Sequence, residues 1–330
     1  MSGTAVAPGG MDESELRLFR DAIERATASL SGERLDEALE DIGWADAAAA
    51  DGRAAVAVLF ERLGAVAGSS AALGQVILGA LGLPPVEDTA VLVPALGRST
   101  ATGGRGGGDV PAPVLGLAEL RRRGHALVVE DDGDRTRAAR VPVSELALRP
   151  VHGIDPDAEL VEVTFAGPVE GWDWEVAPRP WEDAVAASRR ALAHEQLGAM
   201  RTMLRLAREH ALHRVQFGQP VARFQAVRHR LAEALVAVEA AEAAIDGAWL
   251  DGSPFTATVA KAVAGTSART VRRHAQQVLA GIGFTTEHDL HRFVRRSIVL
   301  DGLFGDAASL TDEIGEALLR AGHLPDLLPL

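Results

Sequence analysis

The stretches of this sequence that could do chemistry are rich in glycine, arginine or histidine, and each implies a different reaction. Gly103-Gly-Arg-Gly-Gly-Gly-Asp109 has the composition of a phosphate-cradling loop. Such a loop needs a strand before it, a helix N-terminus after it, and either Lys-Ser/Thr or a spaced Gly-x-Gly-x-x-Gly. Pro111 and Pro113 follow instead, so the stretch reads as a flexible linker. His288 and His291 stand three apart with no third metal ligand near them, which makes them ordinary surface histidines and not a zinc pair. The chain has no cysteine, and with it no thiolate chemistry, disulfide framework or sulfur-ligated metal. A Gly-x-Ser-x-Gly nucleophile elbow is also missing. The pairs Arg189-Arg190, Arg272-Arg273 and Arg295-Arg296 and the triple Arg121 to Arg123 are scattered through an acidic chain and read as solvated faces or salt bridges. Two segments are left: Arg214-Val-Gln-Phe-Gly-Gln-Pro-Val-Ala-Arg-Phe-Gln225 and Gln277-Val-Leu-Ala-Gly-Ile-Gly-Phe-Thr-Thr-Glu287.

Both segments interrupt long amphipathic helices. Ala193, Leu197, Met200, Leu204, Ala207 and Ala211 recur at spacings of four and three before the first break, and Phe224, Val227, Leu231, Ala234, Val238, Ala241, Ile245 and Ala248 do so after it. Gly218 can supply the left-handed residue that stops the first helix, and Pro220 cannot lengthen it. The spacing predicts helices over Trp181 to Leu212, Phe224 to Leu250, Ala257 to Leu279 and Thr311 to Ala321, the last after the stretch His288 to Leu303, packed as an antiparallel four-helix bundle. Near the N-terminus, Leu16, Phe19, Ile23 and Ala26 mark a helix over Asp12 to Leu30, with Asp12 or Ser14 as N-cap. Helices are also expected over Glu33 to Ile42, Gly52 to Ala67 and Ser70 to Leu81, and Leu83-Pro-Pro85 ends this block. Between the helical blocks the period changes. Val91 to Val93, His125 to Glu130, Thr136 to Val143 and Leu160 to Phe165 are β-branched runs bounded by Pro, Gly and Asp, the pattern of a small β unit. The expected division is 1–88 helical, 89–168 β and 169–330 helical: mainly α with a small β unit.

At 330 residues, 47% apolar and 24% charged, the chain can bury a sizeable core. A formal net charge of −13 repels phosphate backbones and anionic lipids, so neither nucleic acid nor membrane is an expected partner. No apolar run is long enough to span a bilayer, and Met1 to Gly10 lacks a basic-then-apolar secretory pattern. A cytoplasmic location is expected.

Arg-x-x-Phe-Gly-x-Pro with a following Phe-Gln resembles the helix junction of the acyl-CoA dehydrogenases, flavoproteins that desaturate acyl-CoA thioesters. Gln277 to Glu287, followed by Arg292 and Arg295, resembles that family's Gln-x-x-Gly-Gly-x-Gly-Phe segment. The similarity covers roughly residues 185 to 320, and more faintly the first ninety. It implies an N-terminal helical domain, a middle β domain and a C-terminal helical bundle. By the same resemblance Arg214, Phe217, Gln225, Gln277 and Gly281 reach across a dimer interface to the pyrophosphate and adenine end of an FAD seated in the other subunit. Ala280 replaces the first glycine of that pattern. Arginine would offer charge-assisted donors to pyrophosphate, and glycine would let backbone N–H groups approach it.

Other family features are absent. The family's Thr-Glu-Pro followed by Gly-Ser, and its Lys-x-Trp-Ile-Thr strand, have no counterpart here, so the middle β domain reads as reduced. Desaturation needs a dry carboxylate against the thioester to take the α-proton. The family's two positions for that base fall on Ser188 and Phe304, and neither residue can act as one. Glu195, two turns beyond Ser188, and Asp301, one turn before Phe304, are the weak substitutes, read as a solvated charge and as a partner of Arg295 or Arg296. The whole pattern resembles the short, incomplete subunit of heteromeric actinobacterial acyl-CoA dehydrogenases, which implies a full-length catalytic partner in an α2β2 assembly, a shared FAD, and an acyl-CoA substrate, often a steroid side-chain thioester, held in the partner's site. Two readings stand beside it: a self-sufficient dehydrogenase with an atypical base at Glu195 or Asp301, and a flavin-free scaffold protein.

Overall fold

The structure, a computed structural model, describes residues 10–86, 88–103, 114–165 and 171–324. The glycine-rich stretch after Gly103 therefore lies outside the described residues. Five helices open the chain: α1 (Glu13–Ser29), α2 (Glu33–Ile42), α3 (Trp44–Ala50), α4 (Gly52–Val66) and α5 (Ala72–Leu81). Asp12 starts α1 as a reciprocal cap, accepting from the Ser14 and Glu15 N–H groups while its own N–H donates to the Glu15 carboxylate. The alanine run of α3 carries no helical periodicity and was not expected. Trp44 anchors it, buried to 2% exposure with its indole N–H donating to the Ala55 carbonyl at 3.3 Å.

The β unit has two small sheets. One runs β1 (Thr89–Val91), β3 (His125–Asp131), β4 (Thr136–Pro142), β7 (Trp174–Val176), with β1 parallel to β3 and the rest antiparallel. The other is β2 (Val114–Gly116), β6 (Val161–Phe165) and β5 (Leu146–Pro150), all antiparallel. Val93 and Leu115 exchange backbone hydrogen bonds and join the two. Alternate residues such as Leu92, Val128, Val141, Val161 and Val163 fill the space between the sheets. Strand β7 carries the sheet to Val176, past the expected end at 168.

Helices α6 (Trp181–His213), α7 (Gln225–Asp251), α8 (Pro254–Leu279), α9 (Leu290–Gly302) and α10 (Ala307–Ala321) complete the chain. The stretch after His288, left unassigned by periodicity, is therefore a fifth helix. Alanines at 193, 207, 211, 234, 241, 260, 264 and 268 dominate the shared core of α6, α7 and α8, with Met200, Met203, Ile245 and Val271 between them. Small side chains let the helix axes approach closely. The tightest crossing is between α4 and α6, where Gly64 faces the backbone of Glu195 and Gly198 faces that of Glu61; a Cβ at either glycine would overlap the opposite carbonyl. This backbone-to-backbone contact seats the N-terminal helices on the bundle. No helix among the described residues is long and apolar enough to cross a membrane.

Candidate functional site

The sequence-predicted residues fall in two places on the bundle. The first is an open lip at the far end of α6. That helix stops at His213, and Arg214, in extended conformation, caps it. Beyond it the chain makes a tight hairpin of β8 (Val215–Gln216) and β9 (Gln219–Pro220). Both residues at its tip have positive φ, Phe217 at 53° and Gly218 at 77°, the signature of a type I′ turn. Gly218 thus turns a hairpin and does not terminate the helix, as its position had suggested. Phe217 carries its ring out to 90% exposure, edge-on to Phe224 at 6.0 Å. A bulky residue with positive φ is strained, and here the strain holds an apolar ring in water.

Arg214, Gln225, Gln277 and Gly281 are also exposed, and among the described residues none of these side chains has a hydrogen bond or ion pair. Gln277 lies in the last turn of α8, and Ala280–Phe284 forms a 3-10 turn that leaves Phe284 70% exposed. His210 lies on α6 near its end. Its pKa is lowered first by burial and then by the charges of His288 and Arg214, so the α6 end and the loop before α9 lie within electrostatic reach. A Cβ at Gly281 would meet nothing within 4 Å, so the intrachain packing leaves its backbone approachable. Ala280 keeps φ 55° and ψ −135°, a conformation natural to glycine, although it has a side chain.

The second place is the turn between α9 and α10, and it is closed. Ser188 is fully buried and its hydroxyl donates to the Ala184 carbonyl at 2.7 Å. Phe304 is fully buried at φ 57° with its ring 6.2 Å from that of Trp181. Two buried cations clamp this turn. Arg189, 3% exposed, donates to the Phe304 carbonyl at 3.2 Å, to Thr258 at 2.5 Å and to both oxygens of Glu313 at 2.9 and 2.8 Å. Lys261, fully buried, donates to the carbonyls of Asp301 at 2.9 Å and Gly305 at 3.2 Å. Burial pushes the Lys261 amine down to about 8, against the pull of Asp301 and Asp306 and with a small push from Arg189.

Neither substitute base is as expected. Glu195 is no solvated charge: it is 3% exposed and accepts two bonds from Arg296, at 2.9 and 2.7 Å. Burial raises its pKa despite that partner, and Asp155 adds to the rise. Asp301 pairs with neither Arg295 nor Arg296; its carboxylate accepts from the Ala307 N–H at 3.2 Å and lies 3.8 Å from Arg269. Arg189 and Arg190 are likewise not a solvated pair. The roles of Arg189 and Lys261 were missed, although Lys261 stands alone among Ala257, Ala260, Ala262 and Ala264, a setting where a lysine must be buried or paired. His288 and His291 shape their own turn, the first accepting from the Leu290 N–H and the second bonded to the His288 carbonyl.

Residues 181–319 match the family model described as acyl-CoA dehydrogenase, C-terminal domain. Among curated proteins, acyl-CoA dehydrogenase IpdE2 of Mycobacterium tuberculosis is 29% identical over 241 residues, 64% of this chain and 71% of that protein. Two further relatives are matched over only 30% and 34% of their own length. Among solved structures, a variant of the Tcur3481-Tcur3483 steroid ACAD aligns with a TM-score of 0.78 at 19% identity, over 94% of this chain and 99% of that one. The ChsE4-ChsE5 complex from Mycobacterium tuberculosis aligns at 0.76 and 17%, over 96% and 99%. The fold is that of the acyl-CoA dehydrogenases, and residues 181–319 match the model of their C-terminal domain.

Proposed function

We propose that this chain is the non-catalytic half-site subunit of an FAD-dependent acyl-CoA dehydrogenase, paired with a full-length catalytic subunit. The observation that carries this reading is the contrast between the lip and the closed turn. Arg214, Gln225, Gln277 and Gly281 are presented outward, their side chains with no hydrogen bond or ion pair among the described residues, and Phe217 holds its ring in solvent, as a surface completed by another molecule would be. In the assembled pair Arg214 would donate to the FAD pyrophosphate, Gln225 and Gln277 would bond the adenylate end, Gly281 would admit it against backbone, and Phe217 would pack across the interface. FAD, when bound there, supplies the hydride acceptor of an α,β-desaturation. At the closed turn Ser188 and Phe304 fill the base positions, Glu195 is held by Arg296, and the half-exposed Glu313 is engaged through both oxygens by Arg189. The α-proton is therefore taken by the partner. The similarity to an acyl-CoA dehydrogenase supports an acyl-CoA substrate, and the likeness to a steroid ACAD supports a steroid side-chain thioester.

Flavin content tests the reading. The purified chain should be colourless, and the chain co-purified with a full-length acyl-CoA dehydrogenase from the same genome should be yellow and active. About one FAD per chain in the isolated protein would favour a self-sufficient enzyme. A colourless complex would favour a scaffold.

A further inference from the structure

A cleft of about 790 Å³ opens between α3, α4, α5, the start of α6 and the turn from α7 to α8. Its walls are largely apolar, with Trp44, Val56, Val76, Leu78, Leu83 and Trp249 among them. Arg190 also lines it, lying over the Trp249 ring at 5.1 Å. Its Nε and Nη1 are shielded from water and have no hydrogen-bond partner among the described residues. Asp183, two turns earlier on α6, helps keep the guanidinium charged but accepts no bond from it. A cation stacked on an aromatic ring with idle donors is an incomplete arrangement, because buried N–H groups are normally paired.

The stacking platform is itself fixed. The Trp249 indole N–H donates to His194 Nε2 at 2.9 Å, which leaves the proton of that ring on Nδ1, and Nδ1 donates to Glu61 at 3.0 Å. Glu61 is held in turn by Arg201. The chain Trp249, His194, Glu61, Arg201 runs through the tight α4–α6 crossing, so the wall carrying Arg190 is as rigid as the seam between the N-terminal helices and the bundle. Such pre-organisation is what a binding site needs and a surface crevice lacks. The remaining charges along the cleft, Arg179 against Asp46 and Asp183, leave it with no net charge once Arg190 is counted. That balance suits a singly charged anion better than a phosphate dianion.

We propose that this cleft binds a monocarboxylate carried on an apolar body, with the carboxylate on Arg190 and the hydrocarbon against Trp44, Val76 and Leu83. Titration calorimetry of the full chain tests this with decanoate, decanol, acetate and decyl phosphate as probes. Decanoate should bind, decanol and acetate should each bind at least about ten-fold more weakly, and Arg190→Met should weaken decanoate by about ten- to a hundred-fold while leaving decanol unchanged. Arg190→Lys, which keeps charge without the planar fork, should retain part of the affinity, and serves alone if the methionine variant does not fold. The proposal is overturned if no probe binds, if decanol binds as tightly as decanoate, if decyl phosphate binds more tightly than decanoate, or if the Arg190 variants bind decanoate like the wild type.

Discussion

Arg189 and Arg214 lie near opposite ends of α6 and are used in opposite ways. Arg189, near the start, directs its donors inward to Phe304, Thr258 and Glu313. Arg214, at the end, is exposed with no hydrogen bond or ion pair among the described residues. A buried guanidinium without acceptors would be costly, so the closed turn is complete within one chain. The lip, with an exposed ring at a strained tip, is not complete by the same standard. The difference teaches where this chain expects company. On the proposed function, the buried region is where a catalytic carboxylate would otherwise stand, and the exposed region is the one that touches a neighbour's cofactor.

Breaking the closed side should have the largest effect. Arg189→Met leaves the Phe304 carbonyl and the Glu313 carboxylate without their donor, and should lower unfolding stability by about 2 to 4 kcal/mol, read by denaturant titration. Little change would mean that the clamp is not what holds Phe304 in place. The Lys261 clamp can be examined through pH. Its folded pKa, about 8, lies below the ordinary 10.5, so between those values the unfolded chain holds a proton that the folded chain has released. Stability contributed by this group therefore rises as pH increases from about 8 to 10.5, by up to about 3 kcal/mol. Lys261→Met should abolish that rise relative to wild type, and identical pH profiles would contradict the burial argument.

A smaller effect is expected at the lip, where Ala280 occupies a glycine conformation. Ala280→Gly should relieve strain worth about 1 kcal/mol and raise the Tm by a few degrees; a fall would show that the alanine is not strained. The smallest effects on turnover belong to the substitute bases, although Glu195→Gln also weakens the buried pair with Arg296. Glu195→Gln and Asp301→Asn should leave turnover per assembled complex within a few-fold, because removing an essential base costs on the order of 10²-fold or more. A loss of that size from either variant would return the atypical-base reading.

The long helices of this fold were legible because a three-four apolar spacing fixes a buried face, and α6, α7 and α8 begin and end within a few residues of their expected bounds. Helix α3 was not, since Ala45 to Ala50 offers no contrast between faces and only the packing of Trp44 decides it. Strands β2, β5 and β7 carry at most one β-branched residue each, too weak a signal beside the run of β6, and exist through pairing with β4 and β6. The lip residues were visible as a spaced motif. The hairpin at Phe217 was not, because two positive φ values in succession depend on the turn closing between strands of two residues each. Arg189, Lys261 and Glu195 were misjudged or missed for one reason: charge pattern alone makes a charged residue look solvated, and only the three-dimensional partner reveals that it is buried.

The central claim, that the lip serves a flavin held by a partner, is tested most directly by FAD retention in the reconstituted complex with Arg214→Ala. A charged hydrogen bond to pyrophosphate is worth roughly 1.5 to 3 kcal/mol, which corresponds to about a ten- to hundred-fold loss of flavin affinity. Assembly, followed by size exclusion, should persist because Arg214 lies outside the apolar stripe, and Gln277→Ala should act in the same direction more weakly. Wild-type flavin occupancy at limiting FAD, in an intact complex carrying Arg214→Ala, would contradict the account.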